Sequence, residues 1–479
     1  MPHSIFTSEF RPALGLRNRH VQTLLPRLLP RAPLSRRTEI LNLPDGDFVE
    51  LSWVTSDGNS RREREVELSD DAPLFVLFHG LEGNLESPYA RDLLNAAARL
   101  GWRPVLMHFR GCGQSPNRLP RAYHSGDTAD AYWVLGEMGR RYPHALKVAC
   151  GVSLGANMLL KLVAEQGGDG LDLAGAIAIS APLDLAASSD VLNQGSSRLY
   201  QRHLLKSMKA KVAAKLANGP LPISIGAHQL TQLNSFWAYD NEVTAPLHGF
   251  SSASDYYSRA SAGRLLRDIE LPTLILQSLD DPFMPRDLFS RFPQPSEAVR
   301  IELSERGGHV GFIEWRRGRL SSWLARRITR QLYWSDNEPH FSSGTRHRRR
   351  CTAGSVGPGH PRAQPAHLQG AVRRAAGVCH PVDHPVLHHE RHRTSRALLR
   401  AAAGTDHGAG ICLYHAGRID VGGGGSRTGA TYREPHPDAR QSPDGAPTLF
   451  RAGHPPLDRY QHRTGHGFPV RDRYLRHRP

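Results

Sequence analysis

Between residues 73 and 303 short, unbroken apolar runs recur: PLFVLF (73–78), RPVLMHF (103–109), LKVACGV (146–152), AGAIAIS (174–180), PTLILQS (272–278) and AVRIEL (298–303). A run that is apolar at successive positions offers both faces of a strand to the interior, as strands of a covered parallel sheet do. Stretches of helical periodicity separate the runs. SPYARDLLNAAARLG closes on a glycine, SGDTADAYWVLGEMGRRY offers Ser125 as an N-cap with Asp127 in the first turn, and LGANMLLKLVAEQGG follows a serine. This alternation specifies an α/β fold with a mostly parallel central sheet flanked by helices. Upstream, RTEILNL and DFVELSWV alternate around PDG like an antiparallel pair, and HVQTLLPRLLPR offers a short apolar helix or loop.

The alternation lapses from about 184 to 270, where SSRLYQRHLLKSMKAKVAAKL reads as a helix with a basic face and an aromatic, loop-rich stretch follows. This is the length of an insertion between two sheet strands. The expected organisation is one domain over 1–335 containing that insertion, then a tail over 336–479. Residues 341–479 hold 22 Arg, no Lys, 9 acids and 15 of the 26 His, so the tail carries +13 of the net +16. It lacks hydrophobic periodicity and reads as disordered. Arginine without lysine points to a GC-rich coding stretch read out of frame or past its natural stop. The body is nearly neutral. Five Cys (112, 150, 351, 379, 412) make no C-x-x-C pair and no zinc spacing, which fits a reducing compartment. With no signal-peptide core and no long apolar run, a cytoplasmic protein is expected.

The chemistry gathers around Ser153. G-V-S-L-G, residues 151–155, stands between a strand-like run and a helical one. That is the context of a serine on a strained strand-to-helix turn, with Gly151 and Gly155 where neighbouring backbone comes closest. Such a serine acts as a nucleophile when a histidine takes its proton and a carboxylate orients the histidine, and on a sheet of this kind the order is serine, acid, histidine. LILQSLDDPFMP ends a run with Asp280 and Asp281, and ELSERGGHVGF offers His309. Asp281 is the preferred acid and Asp280 the alternative. LFHGLEGN places an H-G-x-x-G-type loop after the first parallel strand. Backbone N–H groups of Leu81 and Leu154 are the expected oxyanion donors, with Gly80 and Gly83 letting the loop turn close to substrate. His79 and His108 read as structural, RGCGQSPNR (110–118) as a shaping loop, and Arg110, Arg118 and Arg121 as ion-pair partners. The basic helix reads as a solvated face, with a lipid-surface role as the alternative. The HPVDHPVLHHERHR cluster is a weak metal candidate.

LRNRHVQTLLPRLL, FHGLEGNLESPYA, HFRGCGQSPNRLPRAYHSGDTAD, GVSLGANMLLK, DNEVTAPLHGFSSASDYYSRAS and GGHVGFIEW together resemble the bacterial YheT group of α/β-hydrolases over roughly residues 8–330. The resemblance implies the α/β-hydrolase fold, a cap over 184–270, the triad Ser153, Asp281 and His309, and a serine esterase or lipase-type activity on acyl esters or lipids. It implies no metal and no organic cofactor. The expectation is hydrolysis through an acyl-enzyme. Transfer of the acyl group to an alcohol, a catalytically silent scaffold, and nucleic-acid binding through the tail are the competing readings. The last lacks any RNA- or DNA-reading motif, so no specific nucleic acid is expected.

Overall fold

The computed structural model describes residues 4–30, 33–55, 68–167 and 170–337; the tail beyond 337, its His cluster and the expectations of disorder or misread frame placed on it lie outside these residues. The elements run β1 (Ile5–Thr7), α1 (Arg19–Leu24), β2 (Ser35–Asn42), β3 (Phe48–Thr55), β4 (Leu74–Phe78), α2 (Pro88–Ala98), β5 (Arg103–His108), α3 (Ala129–Arg141), β6 (Lys147–Val152), α4 (Leu154–Gln166) and β7 (Gly175–Ile179). Helices α5 (Leu185–Leu192), α6 (Arg198–Asn218), α7 (Ala227–Gln232), α8 (Phe236–Tyr239), α9 (Ala245–Leu247) and α10 (Ala253–Ala260) then intervene before β8 (Thr273–Ser278). β9 (Val299–Ser304), a hairpin of β10 (Ile313–Arg316) and β11 (Arg319–Ser322), and α11 (Trp323–Asn337) complete the described chain.

Nine strands form one sheet in the order β1-β9-β8-β7-β6-β4-β5-β3-β2. The pairs from β1 through β5 are parallel, and β3 and β2 add an antiparallel edge. The continuous apolar runs explain the parallel part. Alternate residues of β4 enter opposite cores: Leu74, Val76 and Phe78 face α3 and α4, whereas Phe75 and Leu77 face α2 and α11. Helix α2 starts with Pro88 at its first position, where a missing N–H costs nothing. It buries Ala90, Leu93, Leu94 and Ala97 at helical spacing.

Three local differences from the expected pattern have physical causes. Helix α3 begins at Ala129 behind Thr128, later than Ser125. Ser125 is engaged elsewhere: its N–H donates to the Tyr256 hydroxyl and its carbonyl accepts from Asn157 Nδ2, while Asp127 accepts from Arg121. Strand β1 is three residues long, too short for a period, and is held by pairing with β9. The basic helix α6 is not a plain solvated face, because three of its lysines bond protein acceptors. Lys209 Nζ donates to the carbonyls of Thr231 and Leu233, Lys215 Nζ to those of Leu119, Pro120 and Arg121, and Lys211 Nζ pairs with Glu82. Among the described residues no helix is long and apolar enough to cross a membrane.

Buried polar groups pin the loops to this frame. Arg110, next to the end of β5, forms a bidentate pair with Asp130 of α3 (2.7 Å from both Nε and Nη2) and reaches Asp45 (2.8 Å) and Asp47 (3.0 Å) in the β2–β3 turn. Asp47 also accepts from Asn117 Nδ2 and the Arg118 N–H, so the 110–118 segment closes around it. Arg110, Arg118 and Arg121 thus bond within the protein, Arg118 to Asn42 and the Gly46 carbonyl, Arg121 to Asp127. Removing one partner from a buried ion cluster leaves the others uncompensated. Arg110→Met is expected to cost roughly 3–5 kcal/mol, read as a lowered urea midpoint; an unchanged midpoint would show that the cluster contributes no net stability.

Candidate active site

Strand β6 delivers Ser153 at its carboxyl end, and α4 starts at the next residue. Ser153 has φ 54° and ψ −118°, a conformation that costs a residue with a side chain on the order of 1–3 kcal/mol. Bonds on both sides hold it: the Ser153 N–H donates to the Ile179 carbonyl (2.8 Å), and its carbonyl accepts from Ala156 (2.9 Å) and Asn157 (3.1 Å). The two glycines are required by close approach. A Cβ on Gly151 would lie 2.3 Å from the Gly155 carbonyl oxygen, and one on Gly155 2.5 Å from that of His79.

His309 comes from the loop after β9 and Asp281 from the loop after β8. The Ser153 hydroxyl donates to His309 Nε2 at 3.0 Å, and His309 Nδ1 donates to Asp281 Oδ2 at 2.9 Å. The carboxylate only accepts, so the proton sits on Nδ1 and leaves Nε2 as the acceptor facing the serine. Asp281 is 2% exposed. Its Oδ1 accepts the Phe283 N–H (2.8 Å), and Gln277 Nε2 donates to Oδ2 (3.3 Å). Asp280, the alternative acid, faces elsewhere: its Oδ1 accepts the Gly308 N–H (2.9 Å), and burial pushes its carboxyl up. The Phe283 ring stacks on His309 with centroids 3.9 Å apart and planes 7° apart.

The H-G loop after β4 runs against the serine. A Cβ on Gly80 would lie 3.1 Å from Ser153 Cβ. Gly80 N–H donates to the Tyr89 hydroxyl (2.8 Å), Glu82 N–H to the Tyr123 hydroxyl (2.8 Å), and Gly83 N–H to the Gly80 carbonyl (2.9 Å). Among the described residues the Leu81 N–H between them has no acceptor. His79 helps to set its direction. Phe109 N–H donates to His79 Nε2 (3.1 Å), so Nδ1 carries the proton and donates to the Gly80 carbonyl (2.7 Å). In a planar trans peptide, a carbonyl fixed on one side turns the next N–H to the other. Burial pushes the His79 imidazole down to about 3, which keeps it neutral in this role. His108 bonds Ser52 Oγ through Nε2. Leu154 N–H is the first of α4, at the positive end of the helix.

The segment between β7 and β8 supplies an apolar ceiling. Leu192, Tyr200, Leu205, Val212, Leu230 and Phe236 are among its buried residues, and both Leu81 and Phe283 pack against that cluster. Phe283, Tyr89, Tyr123 and Glu82 stand around these groups without a sequence motif of their own. Only their neighbours' motifs pointed to them, since each works through a contact that no spacing shows. One cluster of metal-ligand types occurs among the described residues, His124, Asp127 and His248, with donor atoms within 4.8 Å of one another. Its groups already have partners. Asp127 binds Arg121 (2.7 Å), Gly126 N–H donates to His124 Nδ1 (3.1 Å), and the two imidazoles pack edge to face. Burial pushes both histidines down to about 3. A cavity of about 510 Å³ lies at the opposite, amino ends of the strands, lined by the starts of β7 and β8 with Arg327 and Arg330 of α11.

The family profile described as alpha/beta hydrolase fold matches residues 73–314. YheT of Escherichia coli (strain K12), whose name assigns an esterase activity provisionally, is 42% identical over 327 residues, covering 66% of this chain and 93% of its own. The chain belongs to the α/β-hydrolase family, in the group of YheT. Two further family relatives carry lipid hydrolase names. Monoacylglycerol lipase of Saccharomyces cerevisiae is 29% identical over 302 residues (60% of this chain, 66% of its own), and phospholipase ABHD3 of Homo sapiens is 26% identical over 324 (67% and 78%).

Inside the ceiling, a single turn of π-helix spans Asp240–Thr244 and buries Asp240. Its carboxylate accepts from Tyr257 OH (2.7 Å) and Thr244 Oγ1 (2.6 Å), yet burial outweighs these bonds and pushes it up to about 6. From about pH 4 to about pH 6 the unfolded carboxyl ionises while the folded one stays protonated. Stability therefore falls as pH rises through that window and is level above it. Asp240→Asn removes this loss, on the order of 3 kcal/mol. Melting temperatures of the variant and the wild type should diverge between pH 4 and 6 in the variant's favour; a constant difference would contradict the assignment.

Proposed function

We propose that this protein is a serine carboxylic ester hydrolase acting through an acyl-enzyme on Ser153. The observation that carries the reading is the continuous relay from Ser153 Oγ through His309 to Asp281, built on a serine at positive φ. In this mechanism Ser153 Oγ attacks the ester carbonyl carbon as its proton passes to His309 Nε2. The carbonyl oxygen becomes an oxyanion, stabilised by the N–H groups of Leu81 and Leu154. His309 then returns the proton to the departing alcohol, leaving the acyl group on Ser153. Water attacks that acyl group with His309 again taking the proton, and the acid leaves. Asp281 holds the His309 tautomer and steadies its positive charge.

Substrate class follows from the ceiling. The apolar cluster of the cap packs on Leu81 and on Phe283, the ring that stacks on His309, so the acyl chain meets hydrocarbon rather than charge. A lipid-like acyl ester fits this lining, and the lipase and phospholipase names among the relatives agree with it. A cap over 184–270 on a domain ending near 335 is the organisation this reading takes. No step calls for a metal or an organic cofactor.

The test is fluorophosphonate labelling of the purified chain beside Ser153→Ala, with p-nitrophenyl esters from acetyl to palmitoyl. Labelling is expected to disappear in the variant, and turnover to favour chains longer than acetyl. Asp281→Asn is expected to lower kcat roughly 10³–10⁴-fold, whereas Asp280→Asn stays within about tenfold, since Asp280 reaches the relay only through the loop. Labelling that persists without Ser153, or a folded wild type that does not label, would overturn the reading.

A further inference from the structure

The loop that carries Leu81 is tied to the cap by a cluster the relay does not use. Glu82 follows Leu81 and has φ +55°, a region where glycine is the ordinary occupant. Its side chain is 9% exposed. Tyr123 OH accepts the Glu82 N–H (2.8 Å) and donates to Glu82 Oε1 (3.0 Å). Lys211 Nζ reaches the same oxygen at 2.9 Å, and Ser207 Oγ donates to Oε2. Ser207 and Lys211 stand one turn apart on α6, so both carboxylate oxygens are gripped from the cap. Lys211 Nζ also lies 3.2 Å from Cys112 Sγ, and the Tyr123 ring stacks on Phe109 (5.0 Å, 8°). The Leu81 N–H is thus fixed from both sides. His79 holds the Gly80 carbonyl before it, and a strained Glu82, kept in place by its own side chain, follows.

We propose that Glu82 is a positioning residue whose pairing with α6 aims the Leu81 N–H at the developing oxyanion, so that the seating of the cap helix sets the strength of the oxyanion hole. This rests on the ester hydrolase reading above. A donor that serves the oxyanion acts in the transition state and not on the bound ester, so its loss lowers kcat and leaves KM alone. A substrate that lifts α6 on entry loosens the loop, and one that lets α6 settle restores it.

The experiment compares the full chain with Glu82→Gln, Lys211→Met, the double variant and Lys211→Arg. Rates are expressed per active site counted by fluorophosphonate titration. An alkyl trifluoromethyl ketone, which Ser153 converts to a bound oxyanion, serves as the transition-state probe. Each of the first two variants is expected to lower kcat about ten- to hundredfold, with KM within about twofold and ketone inhibition weakened by the same factor. The double variant should be no worse than the poorer single one, because both remove one coupling, and Lys211→Arg should recover most of the loss. A merely structural role would reduce melting temperature and the number of active sites without moving kcat per site and ketone affinity together. Unchanged kcat per site, an effect on KM alone, or additive losses would overturn the proposal. Should Lys211→Met fail to fold, Glu82→Gln carries the test, since it keeps the shape and loses the charge. Failure of the hydrolase reading shows separately, as a folded wild type that takes no label. Amide hydrogen exchange over residues 79–83 then decides: faster exchange in Glu82→Gln and Lys211→Met, with β6 unchanged, supports the positioning role, and equal rates overturn it.

Discussion

The site depends first on how closely α4 can approach β4 and β6. Gly151 and Gly155 leave backbone in contact where any Cβ would collide. That closeness forces the chain to reverse within one residue, and Ser153 at positive φ is the reversal. The strain is held by ordinary secondary structure: a sheet bond to Ile179 on one side and the first turn of α4 on the other. Because those bonds belong to the sheet and the helix, the serine cannot relax without unravelling one of them. The same closeness brings Gly80 against Ser153, so the H-G loop and the serine turn are parts of one contact.

The position of this contact follows from strand order. From β4 the chain moves to β5 on one side, then returns to β6 on the other. The loops leaving β4 and β6 therefore diverge and open a crevice at the carboxyl ends of the strands. Ser153 and Leu81 flank that crevice. Strands β8 and β9 continue outward past β7 in the same sense, so their carboxyl ends bring Asp281 and then His309 to the same edge. The order serine, acid, histidine along the chain is the order in which a sheet growing in one direction supplies them.

How much of this was legible in the sequence varies with how local the cause is. The six apolar runs became β4 to β9 within a few residues, since burial on both faces writes itself as an unbroken pattern. Ser153 was legible because its turn needs glycines at fixed offsets. His309 and Asp281 were legible through order, although the choice between Asp280 and Asp281 was left to which carboxylate turns toward the imidazole. The grip of Tyr89, Tyr123 and α6 on the H-G loop left no trace, because it joins residues up to 129 positions apart with no periodicity between them. Strand β1 was invisible for the converse reason: three residues carry no period, and only the edge of β9 makes them a strand. Lys211 and Lys215 misled for a related cause. A lysine whose acceptor is a distant carbonyl or carboxylate looks, in one dimension, like any solvated charge.

The segment between β7 and β8 is therefore less separable from Ser153 and His309 than an added lid would be. Leu81 and Phe283 pack against the buried cluster of that segment, and the Phe283 ring also stacks on His309. Asn157 ties the first turn of α4 to the loop at Ser125 and to the end of α10 through three bonds, with its Nδ2 donating to Ser125 and Ala260 and its Oδ1 accepting from Ala262. On the coupling proposed above, a displacement of this segment reaches the H-G loop through the Glu82 cluster, and Asn157 ties the segment to the helix that follows the serine. Both paths end on opposite walls of the same crevice. On the ester hydrolase reading proposed above, an acyl chain that orders this segment tightens the groups facing its own carbonyl, which gives binding energy remote from the ester a physical route to the reacting atoms.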